Sequence, residues 1–193
     1  QCLQHKYDIV VKESQALNEP FNRLRATDAD QRGTRNARIS YYLEGDDEGV
    51  FDIHKTLGYI SVRRPLDRET VPEYHLTMRA EDAGGLYCTA EVYISISDMN
   101  DNAPEFTQEI YTVMVPENAE VHTLVTRVSA TDYDLDINGR VRYAMRETDD
   151  DSYFSIDSES GLVSLDKQLD REQQPKFNIT LFAYDQGTPK MTS

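Results

Sequence analysis

The second half of this 193-residue chain restates the first at a near-constant offset. "YDIVVKE", from Tyr7 to Glu13, returns as "YTVMVPE", from Tyr111 to Glu117, 104 residues later. "ATDAD" at 26–30 returns as "ATDYD" at 130–134, and "FDIHKTLGYISV" from Phe51 returns as "FSIDSESGLVSL" from Phe154. "LDRE" at 66–69 recurs at 169–172, and "RAEDAGG" around Asp82 recurs as "FAYDQGT" around Asp185. A period near 103 residues is the length of a domain, not of a solenoid unit, so the chain reads as a tandem array.

Each unit reads as all-β. "AEVYISIS" places Ala90, Val92, Ile94 and Ile96 on one face and Glu91, Tyr93, Ser95 and Ser97 on the other. "FNITLFA" places Phe177, Ile179, Leu181 and Ala183 on one face. Alternation of period two marks half-buried strands. "YTVMVPE" is expected to open the second unit as a strand. Gly58 and Gly161 fall between short alternating runs, where hairpin turns are expected. No segment holds a helical period, beyond a single turn at "LDRE" or "NARI". About seven short strands in ~100 residues is the size of a Greek-key sandwich. The second unit stops at "GTPKMTS", before any counterpart of "TAEVYISIS", so it is expected to lack its final strand and the chain to be a fragment.

Charge narrows the partners. There are 35 acidic residues against 20 basic ones, a formal net charge of −15. That balance opposes nucleic acid and anionic membrane and favours cations. No apolar run reaches the length of a membrane span, and the sequence is not expected to include a signal peptide. The acids cluster in the repeated motifs at strand ends: Glu13, Asp28, Asp30, Asp67, Glu69, Asp82 and their counterparts. The join between the units, "ISDMNDNAPEF", adds Asp98, Asn100, Asp101 and Asn102. A carboxylate cluster is repulsive and costly to desolvate unless something neutralises it. Paired acids also serve glycoside hydrolysis. Here, however, they recur in both repeats with no Ser–His or Cys–His arrangement beside them, and His5, His54, His75 and His122 lack metal-ligand spacing. A carbohydrate-active enzyme is therefore the remote alternative. "DLDINGRVRYAM" begins like an EF-hand loop, with Gly139 at position 6, but Met145 stands where a bidentate Glu is required.

"DMNDNAP", "ATDYD…NG", "LDRE" and "AYDQG", in this order, resemble the motifs of cadherin repeats across essentially the whole chain. The resemblance implies two tandem seven-stranded sandwiches: a repeat at 1–97, a calcium-binding linker at 98–104 and a repeat at 105–193 lacking its last strand. It implies three Ca²⁺ in the inter-repeat site. Glu13, Asp67 and Glu69 would serve from the first repeat. Asp98, the Met99 carbonyl, the Asn100 side chain, Asp101 and the Asn102 carbonyl would serve from the linker. Asp132, Asp134, the Asn138 carbonyl and Asp185 would serve from the second repeat. Eight carboxylates against the six charges of three ions leave about two negative charges, and an all-oxygen set suits Ca²⁺ better than Mg²⁺ or Zn²⁺. Asp28, Asp30 and Asp82, and likewise Glu117, Asp170 and Glu172, would be outer half-sites. Ala37 stands where the second repeat has Gly139, a departure that bears on the first half-site.

No Trp is present, so first-strand exchange around a buried Trp is not expected of these repeats. "GGLYCTAEVYISISDMNDNAPEF" is similar to large Fat-type cadherins. The resemblance then implies calcium-dependent cell–cell adhesion from the extracellular part of a single-pass plasma-membrane protein. The partner would be another cadherin ectodomain, homophilic or heterophilic, alongside adjacent repeats of the same chain. The alternative is a mechanical spacer that contacts no partner. In a cadherin-like sandwich the first and last strands run side by side, which would let Cys2 and Cys88 pair. Two separate small core residues is the other reading. Finally, "NIT" at Asn178 fits the N-glycosylation sequon, with Asn178 opposite the apolar face.

Overall fold

The structure, a computed structural model, describes residues 1–29, 38–45, 48–146 and 150–193. It divides into two units, Gln1–Met99 and Asn100–Ser193.

Among the described residues the first unit has seven strands: β1 (Lys6–Lys12), β2 (Pro20–Arg23), β3 (Ser40–Glu44), β4 (Phe51–Ile53), β5 (Tyr59–Val62), β6 (Glu73–Glu81) and β7 (Tyr87–Ser97). They form two sheets, ordered β1-β7-β6-β3 and β2-β5-β4. The pair β1–β7 is parallel, with Tyr7 opposite Val92 and Val11 opposite Ile96. The pair β6–β7 is antiparallel, with Leu76 opposite Val92 and Met78 opposite Ala90. Ala90, Val92, Ile94 and Ile96 are all buried, and they join Ile9, Val11, Leu24, Ile60, Val62, Leu76 and Met78 in one core drawn from both sheets. Each such aliphatic side chain removed from water contributes about 1.5–3 kcal/mol. The outer face carries cross-strand pairs instead. His75 stacks on Tyr93 at 4.3 Å, with Lys6 over the same ring, and Arg79 lies over Tyr42.

In the second unit β8 (Glu105–Phe106) pairs with β10 (Ala130–Thr131), and β12 (Phe154–Ile156), β13 (Leu162–Leu165) and β9 (Leu124–Arg127) form a three-stranded sheet. β11 (Arg142–Met145) pairs with β14 (Leu181–Tyr184), and a 3₁₀ turn covers Asp150–Tyr153. The internal repeat survives at residue level. Gly58 and Gly161 each close a hairpin with positive φ (69° and 68°), and a Cβ at either would fall 2.4 Å from a carbonyl oxygen. The turn acceptor differs. His54 Nδ1 accepts the N–H groups of Thr56 and Leu57, whereas Asp157 Oδ1 accepts those of Glu159 and Ser160.

Two expectations are corrected. "YTVMVPE" is not a ladder strand: residues 110–116 pair with nothing in a sheet, and Ile110 and Met114 are 77% and 95% exposed. A strand persists only where its backbone groups find partners. β1 has β7 beside it, while 111–117 has no such neighbour among the described residues. For the same reason β14 starts at Leu181, four residues later than the alternation from Phe177 suggests. The helical turn at "LDRE" does form in both units, with Val71 N–H donating to the Asp67 carbonyl and Gln174 N–H to that of Asp170. Half of "NARI", residues 36 and 37, lies outside the described residues.

Candidate functional site

In the first unit the acids gather where β1, β7 and the "LDRE" turn end. Glu13 immediately follows β1 and Asp98 immediately follows β7. The turn delivers Asp67, Arg68 and Glu69. Asp67 is spent partly on the turn itself: its carboxylate accepts the Thr70 N–H at 3.0 Å and the Thr70 hydroxyl at 2.8 Å. Those bonds, the hydroxyl's first, hold its carboxyl below the ordinary carboxylate range, so it stays ionised at neutral pH. Arg68 is only 8% exposed. Its backbone N–H donates to Glu13 Oε1 at 2.6 Å, and its guanidinium pairs with both Glu69 and Asp98. In sequence this motif stands out for its acids and not for Arg68. Yet buried carboxylates need compensating charge, and the basic residue between Asp67 and Glu69 was the signal for it.

In the second unit a different set converges. Asp185 is fully buried after β14 and accepts N–H groups from Gly187 (2.9 Å), Met191 (3.0 Å) and Asn100 Nδ2 (3.0 Å). Asn100 Nδ2 also donates to the Pro189 carbonyl at 2.5 Å. The Asn100 side chain occupies the space a Cβ on Gly187 would fill, 2.4 Å from its Cγ and Oδ1. Its donors are thus engaged while its buried Oδ1 has no hydrogen-bond partner among the described residues. Asn102 grips Asp134 twice, through its N–H (3.2 Å) and its Nδ2 (2.8 Å), and also donates to Asp101 at 2.9 Å. This side-chain role goes beyond the carbonyl expected of it. Asp134, 6% exposed, in turn donates its N–H to Asp132 at 2.9 Å. Asn138 is half-buried in the loop that follows, its N–H on the Leu135 carbonyl.

The structure therefore brings Glu13, Glu69 and Asp98 together in one unit, and Asn100 with Asp185, and Asp101, Asn102, Asp132 and Asp134 in the other. Asp67 faces its own turn, and the Met99 side chain is exposed. The donors are carboxylate, amide and carbonyl oxygens, with no His or Cys. Such a set fits a hard cation, Ca²⁺ above all. The orphaned Asn100 Oδ1 is the atom that most asks for one, since a buried unpaired acceptor costs about 1–3 kcal/mol. Among the outer acids, Asp82 Oδ1 accepts the N–H groups of Gly84 and Leu86, while Glu117, Asp170 and Glu172 are exposed. Asp30 and Ala37 lie outside the described residues.

Cys2 and Cys88 are joined in a disulfide, their Cα atoms 5.7 Å apart. Cys2 bridges Ala26 as Phe106 bridges Ala130 in the second unit. Asn178 is exposed, between the half-buried Phe177 and Ile179.

Two sheets around one core in the first unit, hairpins and "LDRE" turns repeated in the second, and acids gathered at strand ends define a class of tandem β-sandwich module. The cadherin-domain profile matches residues 7–97 and 111–193, and the chain belongs to the cadherin family. It is 40% identical over 189 residues to human Protocadherin Fat 1, covering 98% of this chain and 4% of that protein. It is 36% identical over 194 residues to the Fat-like cadherin-related tumor suppressor homolog of Drosophila melanogaster, again spanning 4% of that protein. Among solved structures, mouse Cadherin-23 EC22-24 superposes with a TM-score of 0.87 at 27% identity, covering 98% of this chain and 61% of that one. Protocadherin Gamma C5 EC1-3 superposes with a TM-score of 0.88 at 27% identity, covering all of this chain and 65% of that one.

Proposed function

We propose that these repeats bind Ca²⁺ through the two acidic sets and serve calcium-dependent cell–cell adhesion from the extracellular part of a plasma-membrane protein. The carrying observation is the buried Asn100 Oδ1, its side chain held by Asp185 and Pro189 and its oxygen lacking a hydrogen-bond donor among the described residues. Asp101, Asp132 and Asp134 of the second unit and Glu13, Glu69 and Asp98 of the first supply carboxylates. Asp67, the Met99, Asn102 and Asn138 carbonyls and Asp185 complete the set the sequence reading assigns to three ions. Ca²⁺ supplies charge neutralisation when bound; the chain's own groups hold and orient the oxygens. The proposed partner is another cadherin ectodomain, homophilic or heterophilic, with no role for nucleic acid. Among the described residues no helix is long and apolar enough to cross a membrane.

Calorimetric titration tests the metal reading. Ca²⁺ is expected to bind in the ~10⁻⁴ to 10⁻³ M range of extracellular modules, with Mg²⁺ weaker, and Asp134→Asn is expected to lose most of the heat. A heat-silent titration in both metals refutes it. Beads coated with the chain test adhesion separately. Clustering in Ca²⁺ that chelator reverses supports it, and dispersion in both conditions favours the spacer.

A further inference from the structure

We propose that Asn178 carries an N-linked oligosaccharide, and that this glycan covers the outer face of the second unit beside β14. The inference rests on the extracellular reading above, because the modification requires passage through the secretory pathway.

The argument starts from orientation. Burial alternates along residues 177–180, which lead into β14: Phe177 and Ile179 are half-buried, Asn178 and Thr180 exposed. Phe177 packs against Tyr153 at 5.0 Å and Phe154 at 5.5 Å, and Ile179 and Leu181 join the same apolar cluster. That pins the alternate residues outward: Asn178 and Thr180 are both exposed. Both side chains of the sequon therefore stand on solvent, while the backbone at its C-terminal end is held by the Arg146 N–H donating to the Thr180 carbonyl at 2.9 Å. Ile179, the middle residue, is not Pro, which the acceptor motif requires. Attaching a bulky group here displaces no core contact, since the row that packs is the other one.

The internal repeat says which face the glycan occupies. Asn178 corresponds to His75 at the 103-residue offset. In the first unit His75 belongs to the outer-face ladder with Tyr93 and Lys6. The same address thus carries an exposed protein ladder in one repeat and a sugar in the other. A large hydrophilic cover at Asn178 denies that part of the second unit to protein contact and leaves the first unit's ladder bare.

Chemically, the Asn178 side-chain nitrogen forms the new N-glycosidic bond to the anomeric carbon of a lipid-pyrophosphate-linked oligosaccharide. The anomeric carbon–oxygen bond breaks, the lipid pyrophosphate leaves with that electron pair, and the amide proton passes to solvent. No oxidant or reductant is involved.

The test is intact-mass measurement of the whole chain secreted from eukaryotic cells, before and after an amide-cleaving glycosidase. A mass loss with conversion of one asparagine to aspartate at position 178 is expected for the wild type and for Thr180→Ser, which keeps the acceptor motif. Asn178→Gln and Thr180→Ala are expected to show none. Native trypsin cleavage after Lys176, which is exposed, reads the cover. It is expected to be slower in the glycosylated chain than in Asn178→Gln. Counting free thiols in the same sample separates the two readings. A closed Cys2–Cys88 bond with a bare Asn178 overturns the glycan and leaves the extracellular reading standing. Equal cleavage after Lys176 with and without sugar overturns the covering role. Should secretion fail for any variant, the same mass measurement on the intracellular pool decides.

Discussion

Replacing both Cys2 and Cys88 with Ala should loosen the first unit and leave the second unchanged. The bond ties residues 86 apart. On the chain-entropy model, opening a loop of that length releases about 4.5 kcal/mol of denatured-state freedom. Among the described residues, what then holds the first residues includes the Cys2–Ala26 bridge, Leu3 N–H on the Arg25 carbonyl at 3.1 Å, Thr27 N–H on the Gln1 carbonyl at 2.8 Å and the Gln1 amino group on the Thr27 carbonyl at 2.6 Å. At about 1.4 kcal/mol per tenfold, the opening equilibrium of the first unit should rise by roughly three orders of magnitude. Native-state hydrogen exchange reads this unit by unit. Amides of Met78, Val92 and Ile94 should exchange about a thousandfold faster, while those of Val163 and Leu165 serve as an internal control. Unchanged rates in β6 and β7, or an equal acceleration in β12 and β13, would refute the argument. A second variant sharpens it. Cys2→Phe with Cys88→Ala installs the anchor that Phe106 provides in the second unit, and should recover about 1–2 kcal/mol by apolar burial.

Three further outcomes are expected. Gly161→Ala puts a Cβ 2.4 Å from the Val128 carbonyl at a φ of 68°; it should cost the second unit about 2–3 kcal/mol in urea denaturation, and a loss below 0.5 kcal/mol, roughly the noise of such a site, contradicts the turn assignment. Asp157 is held below the ordinary carboxylate range by the Ser160 hydroxyl first, then by the N–H groups of Ser160 and Glu159. Its contribution is therefore present above the unfolded carboxylate value and lost as pH falls through the lower folded one, so Asp157→Asn should flatten the acid limb of the second unit's stability curve below about pH 4, and parallel curves count against it. Asn100→Ala removes one of the three donors on buried Asp185; in chelator it should lower stability by about 1–3 kcal/mol and in calorimetry weaken Ca²⁺ binding, and an unchanged affinity contradicts the role given to Oδ1.

The architecture was legible because burial writes period two into the strands. Ala90, Val92, Ile94 and Ile96 are inward as the alternation requires, and the repeat offset carried the same hairpins from Gly58 to Gly161. The alternation of "YTVMVPE" and of "FNIT" misled for a common reason. It records which side chains would face a core, whereas a ladder also needs a neighbouring backbone, and a local pattern is silent about that. At the site the acidic positions were visible as motifs, but how each oxygen is used was not. Arg68 reaches Glu13 through its backbone and two acids through its side chain, connections spanning up to 55 residues. Likewise Asn102 spends its side chain on Asp134, 32 residues away, which no spacing within the linker announces.

Arg68 also changes what losing a cation means for the first unit. A guanidinium built into the chain between two acids cannot be diluted away or exchanged for solvent ions. Its local concentration is set by covalent geometry. Any metal that takes oxygens from Glu69 or Asp98 must compete with this resident ion, which tempers affinity at that end. Without a metal, the guanidinium still pairs with both acids, so repulsion is capped. The corner behaves as an ion exchanger with one permanent occupant. Chelation should therefore read as a change of order around residues 67–69 and 98, with the core of β1, β6 and β7 remaining folded beneath it.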